Sequence, residues 1–351
     1  MHIDNIKPTE KKANKRGLSW SIVRVAVTIS ILVYLGFKIN WTVLSKQFMQ
    51  SNIVWLVVAC FFFGITFLLA SIRWRLLLRV QDIFLPLKVV AALTLIGQFF
   101  NSFLLGSTGG DVVKILYISR YSPARKTHAT MTVIMDRAIG LFVLVCIALC
   151  AMSWKLHSLV QRQDIRNIAF ALLIIFGIML GGAVSLAFIP FKRLPFFPHD
   201  LLKKIPRHDI IESLVVAFRQ HKSSVRLTLE AVVCSVAIWF FVFTGGYCIA
   251  LAINLKVTYM QMLVTLSIVT FVISLPISIG GHGIREGAFV TMFAIFGIIT
   301  VDKQTGMGRE PAVLFSLLFY ALFLVWSLVG GIIYLAFQDN RKEINTGAFT
   351  K

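Results

Sequence analysis

The chain has 351 residues, of which 58% are hydrophobic and only 14% charged, and its mean hydropathy is +0.83. Soluble domains are close to half apolar and a quarter charged, so an ordinary soluble enzyme, a disordered chain and a secreted disulfide scaffold are excluded, and lipid is the solvent that fits. The formal charge of +20 lies between apolar blocks, which points to loops facing anionic headgroups and not to nucleic acid.

Residues 1–17 form a polar, basic tail with Lys7, Lys11, Lys12, Lys15 and Arg16. The apolar run 18–37 is too long for a signal peptide and lacks an Ala-x-Ala exit, so it is expected to be a first membrane helix with a cytoplasmic N-terminus. Further blocks at about 53–70, 130–152, 167–190, 227–252 and 312–336 approach the roughly 20 residues that cross a bilayer as helix.

Two regions differ from these. The stretch 89–118 is interrupted by Leu105-Gly106-Ser107-Thr108-Gly109-Gly110-Asp111, and 258–300 by Pro276-Ile277-Ser278-Ile279-Gly280-Gly281-His282-Gly283. Glycine, proline and charge at membrane depth are tolerated only where protein or a water-filled cavity surrounds them. Each region reads as a hairpin that dips in and returns, and the second reads equally as two spanning helices. The expectation is an all-α polytopic bundle of about six full spans plus two glycine-broken hairpins, one membrane domain over 18–337 between short tails at 1–17 and 338–351. Most of the 35 Lys and Arg then fall on one side, which places both termini in the cytoplasm. In that topology the hairpins enter from opposite sides, the pattern of an inverted repeat whose broken helices form a site at the midplane.

The longest loop, 191–226, holds Pro195, Pro198 and Pro206 and an amphipathic stretch with Ile211, Leu214, Val215 and Phe218 on one face and Glu212, Arg219 and Lys222 elsewhere. This reads as an interfacial helix on the headgroups. The five cysteines, Cys60, Cys146, Cys150, Cys234 and Cys248, lie in apolar blocks without CxxC or zinc spacing, and read as small apolar residues with no redox role.

Three clusters carry possible chemistry. In Gly109-Gly110-Asp111-Val112-Val113-Lys114 the glycines permit a sharp turn, the following helix start exposes N–H groups that bind phosphate, and Lys114 adds charge one turn on. The plainer reading, compatible with it, makes Asp111 a helix cap. Gly280-Gly281-His282-Gly283-Ile284-Arg285-Glu286 repeats the logic, with a structural Arg285–Glu286 pairing and a hydrogen-bonded, non-relay His282 as the plainer alternatives. Asp136-Arg137 point about 100° apart on a helix and each would reach a glycine hairpin or join a structural ion network. Tyr117, Arg120, Arg125 and Lys126 fit headgroups. No GxxxxGK[ST] loop, GxSxG elbow, HExxH or clustered acid pair is present. No metal site and no cofactor is expected, and catalysis has nothing pointing to it.

Together these residues resemble the lysylphosphatidylglycerol synthase transmembrane region, or flippase-like domain. The resemblance rests on Gly109-Gly110-Asp111 with Lys114, on Asp136-Arg137, and on Leu275-Pro276 through Gly280-Gly281-His282-Gly283-Ile284-Arg285-Glu286, in order over about 20–336. Leu105-Gly106 departs from a frequent Pro-Gly, and His282 stands where a small or apolar residue is common. The resemblance implies a polytopic inner-membrane protein that moves a lipid between leaflets. The lysyl-transfer activity of a separate soluble domain is not expected to be inherited, since about 14 residues follow the last apolar block.

The resulting expectation is a translocator of a lipid with an anionic or phosphate-bearing headgroup, phospholipid or polyprenyl. Lys114, Arg137 and Arg285 would hold that headgroup, with Asp111, Asp136 and Glu286 orienting the bases. The alternatives are a membrane-embedded transferase acting on such lipids, and a non-catalytic partner of a lipid or glycolipid biosynthesis complex. Membrane lipids, and possible biosynthesis proteins of that kind, are the expected partners.

Overall fold

The computed structural model describes residues 41–103, 109–122, 125–154, 163–188, 215–220, 224–274, 283–302 and 308–339. Helices account for nearly all of them, and no strand occurs among the described residues. In chain order the helices are α1 (Trp41–Met49), α2 (Ile53–Val80), α3 (Leu87–Phe103), α4 (Gly109–Tyr121) and α5 (Lys126–Trp154). They continue with α6 (Gln163–Phe188), α7 (Val225–Ala252), α8 (Tyr259–Ser274), α9 (Ile284–Ile295) and α10 (Glu310–Asp339).

Five of these, α2, α5, α6, α7 and α10, are long and apolar enough to cross a membrane. They account for the five clear blocks after the first; the expected first span, 18–37, and both tails lie outside the described residues. Their apolar residues point both ways. On α2, Leu56, Ala59, Phe63, Trp74 and Leu77 are buried while Ile53, Val57, Phe61 and Leu68 are exposed. A helix apolar all round suits a bundle whose outer face meets hydrocarbon. The extreme case is α6, which packs on α5 and leaves Phe170, Leu173, Ile174 and Ile178 exposed.

Both broken regions are helical pairs: α3 with α4, and α8 with α9. With 16 residues, α8 is about 24 Å long, short of the about 30 Å of a bilayer core. The apolar block continues to 279, outside the described residues. The loops at 104–108 and 275–282, including Leu105-Gly106 and Pro276, lie outside the described residues.

Sequence-level helix limits differ from the observed ones at two places. The helix that begins at Ile53 continues past position 70, the expected end of the apolar block, to Val80, so Arg73 belongs to the bundle. The apolar rhythm of Trp74, Leu77, Leu78 and Val80, all buried, keeps that helix in the protein. Residues 41–49, between the expected first span and the block at 53–70, form α1.

The two halves repeat. Ile53 corresponds to Val225, Val80 to Ala252 and Leu87 to Tyr259, a constant displacement of 172 positions. Each first helix ends in the same Schellman turn. In the first, Ile83 N–H donates to Leu78 O at 2.9 Å and Asp82 N–H to Arg79 O at 3.0 Å, with Asp82 at φ 53°. In the second, Leu255 N–H donates to Ala250 O at 2.8 Å and Asn254 N–H to Leu251 O at 3.1 Å, with Asn254 at φ 55°. Asp and Asn are the non-glycine residues that best accept this left-handed position.

The first helices of the halves run antiparallel. The Asn52 N–H at the start of α2 donates to Ala252 O at the end of α7, at 2.9 Å. Farther along, Phe63 faces Gly245 and Arg73 faces Ser235. Under the 172-position shift these two contacts exchange places, because 63 corresponds to 235 and 73 to 245. Helix, cap, hairpin and long helix therefore recur in reversed direction, which is an inverted repeat.

Aromatic packing builds the core between the halves. Phe63 of α2 meets Phe319 and Phe323 of α10, and Phe289 and Phe293 of α9 meet Phe315. Elsewhere backbone touches backbone: a methyl group at Gly330 of α10 would lie 2.0 Å from Leu95 O of α3. Small residues allow such approach in membranes, where water does not drive helices together. The helical stretch 215–220 is docked on the bundle, since Gln81 Nε2 donates to Ala217 O at 2.8 Å and Val215 and Ala217 are buried. The rest of the amphipathic stretch, including Ile211 and Leu214, lies outside the described residues. The cysteines are free.

Candidate functional site

The first glycine motif opens α4. Gly110 is pressed against α3: its N–H donates to Asn101 Oδ1 at 2.8 Å, and a methyl group on it would lie 1.8 Å from Gly97 O. Only glycine permits that approach, and it holds the hairpin arms together. Asp111, in the first turn, accepts from Arg137 Nε of α5 at 2.8 Å. Asp111 is mostly buried and Arg137 half exposed. The acid therefore serves an inter-helix ion pair at a helix start, where a negative charge is also favoured by the helix dipole.

Asp136 and Arg137 diverge as adjacent helical residues must. Arg137 reaches the glycine hairpin. Asp136 turns to α2 and accepts from Arg73 Nε at 2.8 Å. The Arg73 Nη1 donates to Ser235 Oγ of α7 at 3.0 Å. Arg73 thus ties α2 to α5 and, across the inverted pair, to α7. A methyl group at Gly140 would sit 3.1 Å from Arg73 Nη1, so that glycine leaves room for the guanidinium.

Lys114 lies in the middle of this set and is 9% exposed. Its Nζ stands over the Trp74 ring, 4.7 Å from the centroid, a cation–π contact. Trp74 is held in turn by its Nε1 donating to Thr132 Oγ1 at 3.2 Å. Asp136, Asp111, Arg137 and Arg73 are the charges that act on the Lys114 ammonium. No described residue accepts a hydrogen bond from it or pairs with it. A buried ammonium has three protons to place, and an acceptor is missing for them among the described residues.

The second motif is built differently. Of its residues Gly280, Gly281 and His282 lie outside the described residues. Gly283 caps α9 at φ 80°, a left-handed position that favours glycine. Its N–H donates to Glu286 Oε2 at 2.6 Å, one half of a capping box that glycine has no side chain to complete. Arg285 Nη2 donates to Glu286 Oε1, and Arg285 Nε to Ser316 Oγ of α10 at 2.9 Å. The Arg285 guanidinium also stands 4.5 Å over the Tyr320 ring. Arg285 and Glu286 are each 3% exposed. Here the structural pairing weighed above is what the side chains do.

The structure therefore brings Gly110, Asp111, Lys114, Asp136 and Arg137 into one network, with Gly109 opening the same helix, and Gly283, Arg285 and Glu286 into another. Among the described residues the hairpins are not packed broadly on each other; both lean on α10 and on α5. Arg73, Trp74 and Ser235 join the first network without having been singled out from the sequence. The available signal was the Arg73-Trp74 pair inside a continuing apolar rhythm.

The chain is similar to a UPF0104 membrane protein of Pyrococcus horikoshii, with 26% identity over 339 residues that cover 92% of this chain and 97% of that one. It is also similar to a UPF0104 membrane protein of Methanothermobacter thermautotrophicus, with 22% identity over 262 residues, 71% of this chain and 78% of that one. The family model described as the lysylphosphatidylglycerol synthase TM region matches residues 21–331. With five apolar helices of spanning length and an inverted hairpin repeat beneath that match, the protein is a multi-pass membrane protein and belongs to the lysylphosphatidylglycerol synthase transmembrane-region family.

Proposed function

We propose that the protein translocates a lipid with an anionic or phosphate-bearing headgroup between membrane leaflets, holding the headgroup at the first glycine hairpin. One observation carries this reading: the buried Lys114 ammonium, set beside two ion pairs, without a hydrogen-bond acceptor among the described residues. Ionisable groups inside a membrane protein are costly and mark pathways for charged cargo. Family membership supports a lipid-related role.

Each neighbouring acid is occupied in orienting a base, Asp111 with Arg137 and Asp136 with Arg73. The headgroup phosphate would take the protons of Lys114, while the tails stay in hydrocarbon beside the exposed apolar faces. Both termini would lie in the cytoplasm and the protein in the plasma (inner) membrane, with lipids as its partners. Lipid or glycolipid biosynthesis proteins would supply the cargo. The inverted repeat is a suitable frame, since hairpins that open to opposite sides provide two access routes to one interior.

The test is leaflet exchange in proteoliposomes. Purified protein is reconstituted with headgroup-labelled lipids, and the outer label is destroyed by a membrane-impermeant reductant. Loss of label beyond the outer-leaflet share, reduced by Lys114→Gln in folded protein, is the expected result. Loss confined to the outer leaflet for every anionic lipid overturns the reading. A change in lipid mass on incubation would instead support a transferase.

A further inference from the structure

The repeat allows the two hairpins to be compared base for base. Gly109-Gly110-Asp111-Val112-Val113-Lys114 and Gly280-Gly281-His282-Gly283-Ile284-Arg285 match as two glycines, three intervening residues and a base. The glycine motifs match at a displacement of 171, one less than the 172 of the preceding helices, and by that motif match Lys114 is the counterpart of Arg285. Both are buried and both stand on an aromatic ring, Trp74 at 4.7 Å and Tyr320 at 4.5 Å. They differ in what neutralises them. Arg285 is followed by Glu286, whose carboxylate accepts from Arg285, from the Gly283 N–H at 2.6 Å and from Ser316 Oγ at 3.3 Å. Lys114 is followed by Ile115, and the acids near it are each engaged by another base.

Charge bookkeeping sharpens the difference. Around Lys114 stand Arg73, Arg137, Asp111 and Asp136. With Lys114 this is three bases against two acids, one positive charge in excess among the described residues. Around Arg285, its own Glu286 restores neutrality. Uncompensated charge in low dielectric is expensive, and a site of this kind favours the ligand that brings it to zero.

We propose that the first hairpin binds one singly charged phosphodiester headgroup, with Lys114 as its direct ligand, while the second hairpin carries its anion internally as Glu286 and binds none. This rests on the translocation reading for its site and goes further by fixing the charge of the cargo. A zwitterionic headgroup leaves the excess positive charge in place, because its own ammonium accompanies the phosphate. A phosphomonoester or diphosphate headgroup overshoots it. The Glu286 arrangement shows how this protein satisfies such an anion: a base on an aromatic face, a helix-start N–H and a hydroxyl.

The experiment measures lipid binding to the full-length protein in neutral detergent, by displacement of a fluorescent short-chain phosphatidylglycerol. Competitors are short-chain phosphatidylglycerol, phosphatidylethanolamine and phosphatidic acid. Wild type is expected to prefer phosphatidylglycerol over phosphatidylethanolamine by about tenfold or more, which is about 1.4 kcal/mol. Lys114→Gln, whose cluster is neutral, is expected to lose that preference. Asp111→Asn, with a second excess charge, is expected to shift toward phosphatidic acid. Glu286→Gln leaves Arg285 uncompensated in the same way, and is expected to keep the phosphatidylglycerol preference while adding a second binding equivalent.

Equal competition by the three lipids in wild type overturns the proposal without reference to any variant. So does a preference that survives Lys114→Gln, or one that vanishes in folded Glu286→Gln. Charge-selective binding without leaflet exchange would sink translocation and leave this inference standing. Exchange that ignores headgroup charge would do the reverse.

Discussion

Replacing Asp136 by Leu removes the carboxylate that holds Arg73 and leaves a guanidinium between three helices with Ser235 as its remaining partner in that pair of contacts. The two side chains are 11% and 12% exposed, so solvent cannot take over the lost interaction. Breaking a buried ion pair from one side costs about 3–5 kcal/mol, because the surviving charge is left uncompensated. At about 2–4 °C per kcal/mol for chains somewhat smaller than this one, the expected fall in Tm is on the order of 6–20 °C. Asp136→Asn keeps an acceptor for Arg73 Nε and should lose about half as much, the difference between a charged and a neutral hydrogen bond.

The decisive variant is Arg73→Met with Asp136→Leu. An apolar pair of similar volume removes the orphaned charge, and buried pairs replaced in this way are often neutral or stabilising. The double variant should therefore recover most of the loss, a coupling of about 1 kcal/mol or more in the double-mutant cycle. Thermal unfolding of the purified protein in detergent, followed by intrinsic tryptophan fluorescence, measures all four corners. Asp136→Leu within about 1 °C of wild type, or a double variant as damaged as the sum of the singles, would refute the idea that this pair is a buried and mutually dependent unit.

Other expectations follow from the same coordinates. Gly110→Ala places a methyl group 1.8 Å from Gly97 O, so the α3–α4 hairpin must open; overpacking of this kind costs about 1–3 kcal/mol or more, and a lowered Tm together with loss of leaflet exchange would show it. Gly330→Ala, 2.0 Å from Leu95 O, should lower Tm by a comparable amount, and an unchanged Tm would contradict the close α3–α10 approach. Trp74→Leu removes the ring under Lys114 and the bond to Thr132, whereas Trp74→Phe keeps a ring. Headgroup affinity should therefore fall more in the first, with a cation–π share of about 0.5–2 kcal/mol. Glu286→Gln weakens the α9 cap and removes the charge that holds Arg285, and should lower Tm more than Ser316→Ala, which removes the acceptor of Arg285 Nε at 2.9 Å and the long 3.3 Å bond to Glu286 but leaves the ion pair in place.

How much of this was legible beforehand differs by residue. The spans after the first were readable because a helix in lipid must be apolar over a fixed length, and the blocks near 130–152 and 227–252 became α5 and α7 with ends displaced by a few residues. The two breaks were readable because glycine, proline and charge are exceptional inside such blocks. The repeat was visible only as two break positions; its register came from Asp82 and Asn254, whose left-handed caps no composition argument singles out. Arg73 was missed for a related reason. A charge after an apolar run normally ends it, and here the helix carries that charge on into the bundle because Asp136 and Ser235 await it.

By itself, then, the sequence determined the solvent, the helical class, the breaks and the residue types able to meet a headgroup. These depend on local composition and on the dimensions of a bilayer, which act on each segment separately. Tertiary structure decided the pairing: Asp136 with Arg73, Arg137 with Asp111, Arg285 with Glu286, and Lys114 with the Trp74 face. Which base is neutralised and which stays open for an anion depends on distances between helices far apart in the chain. Only the packed antiparallel halves set those distances.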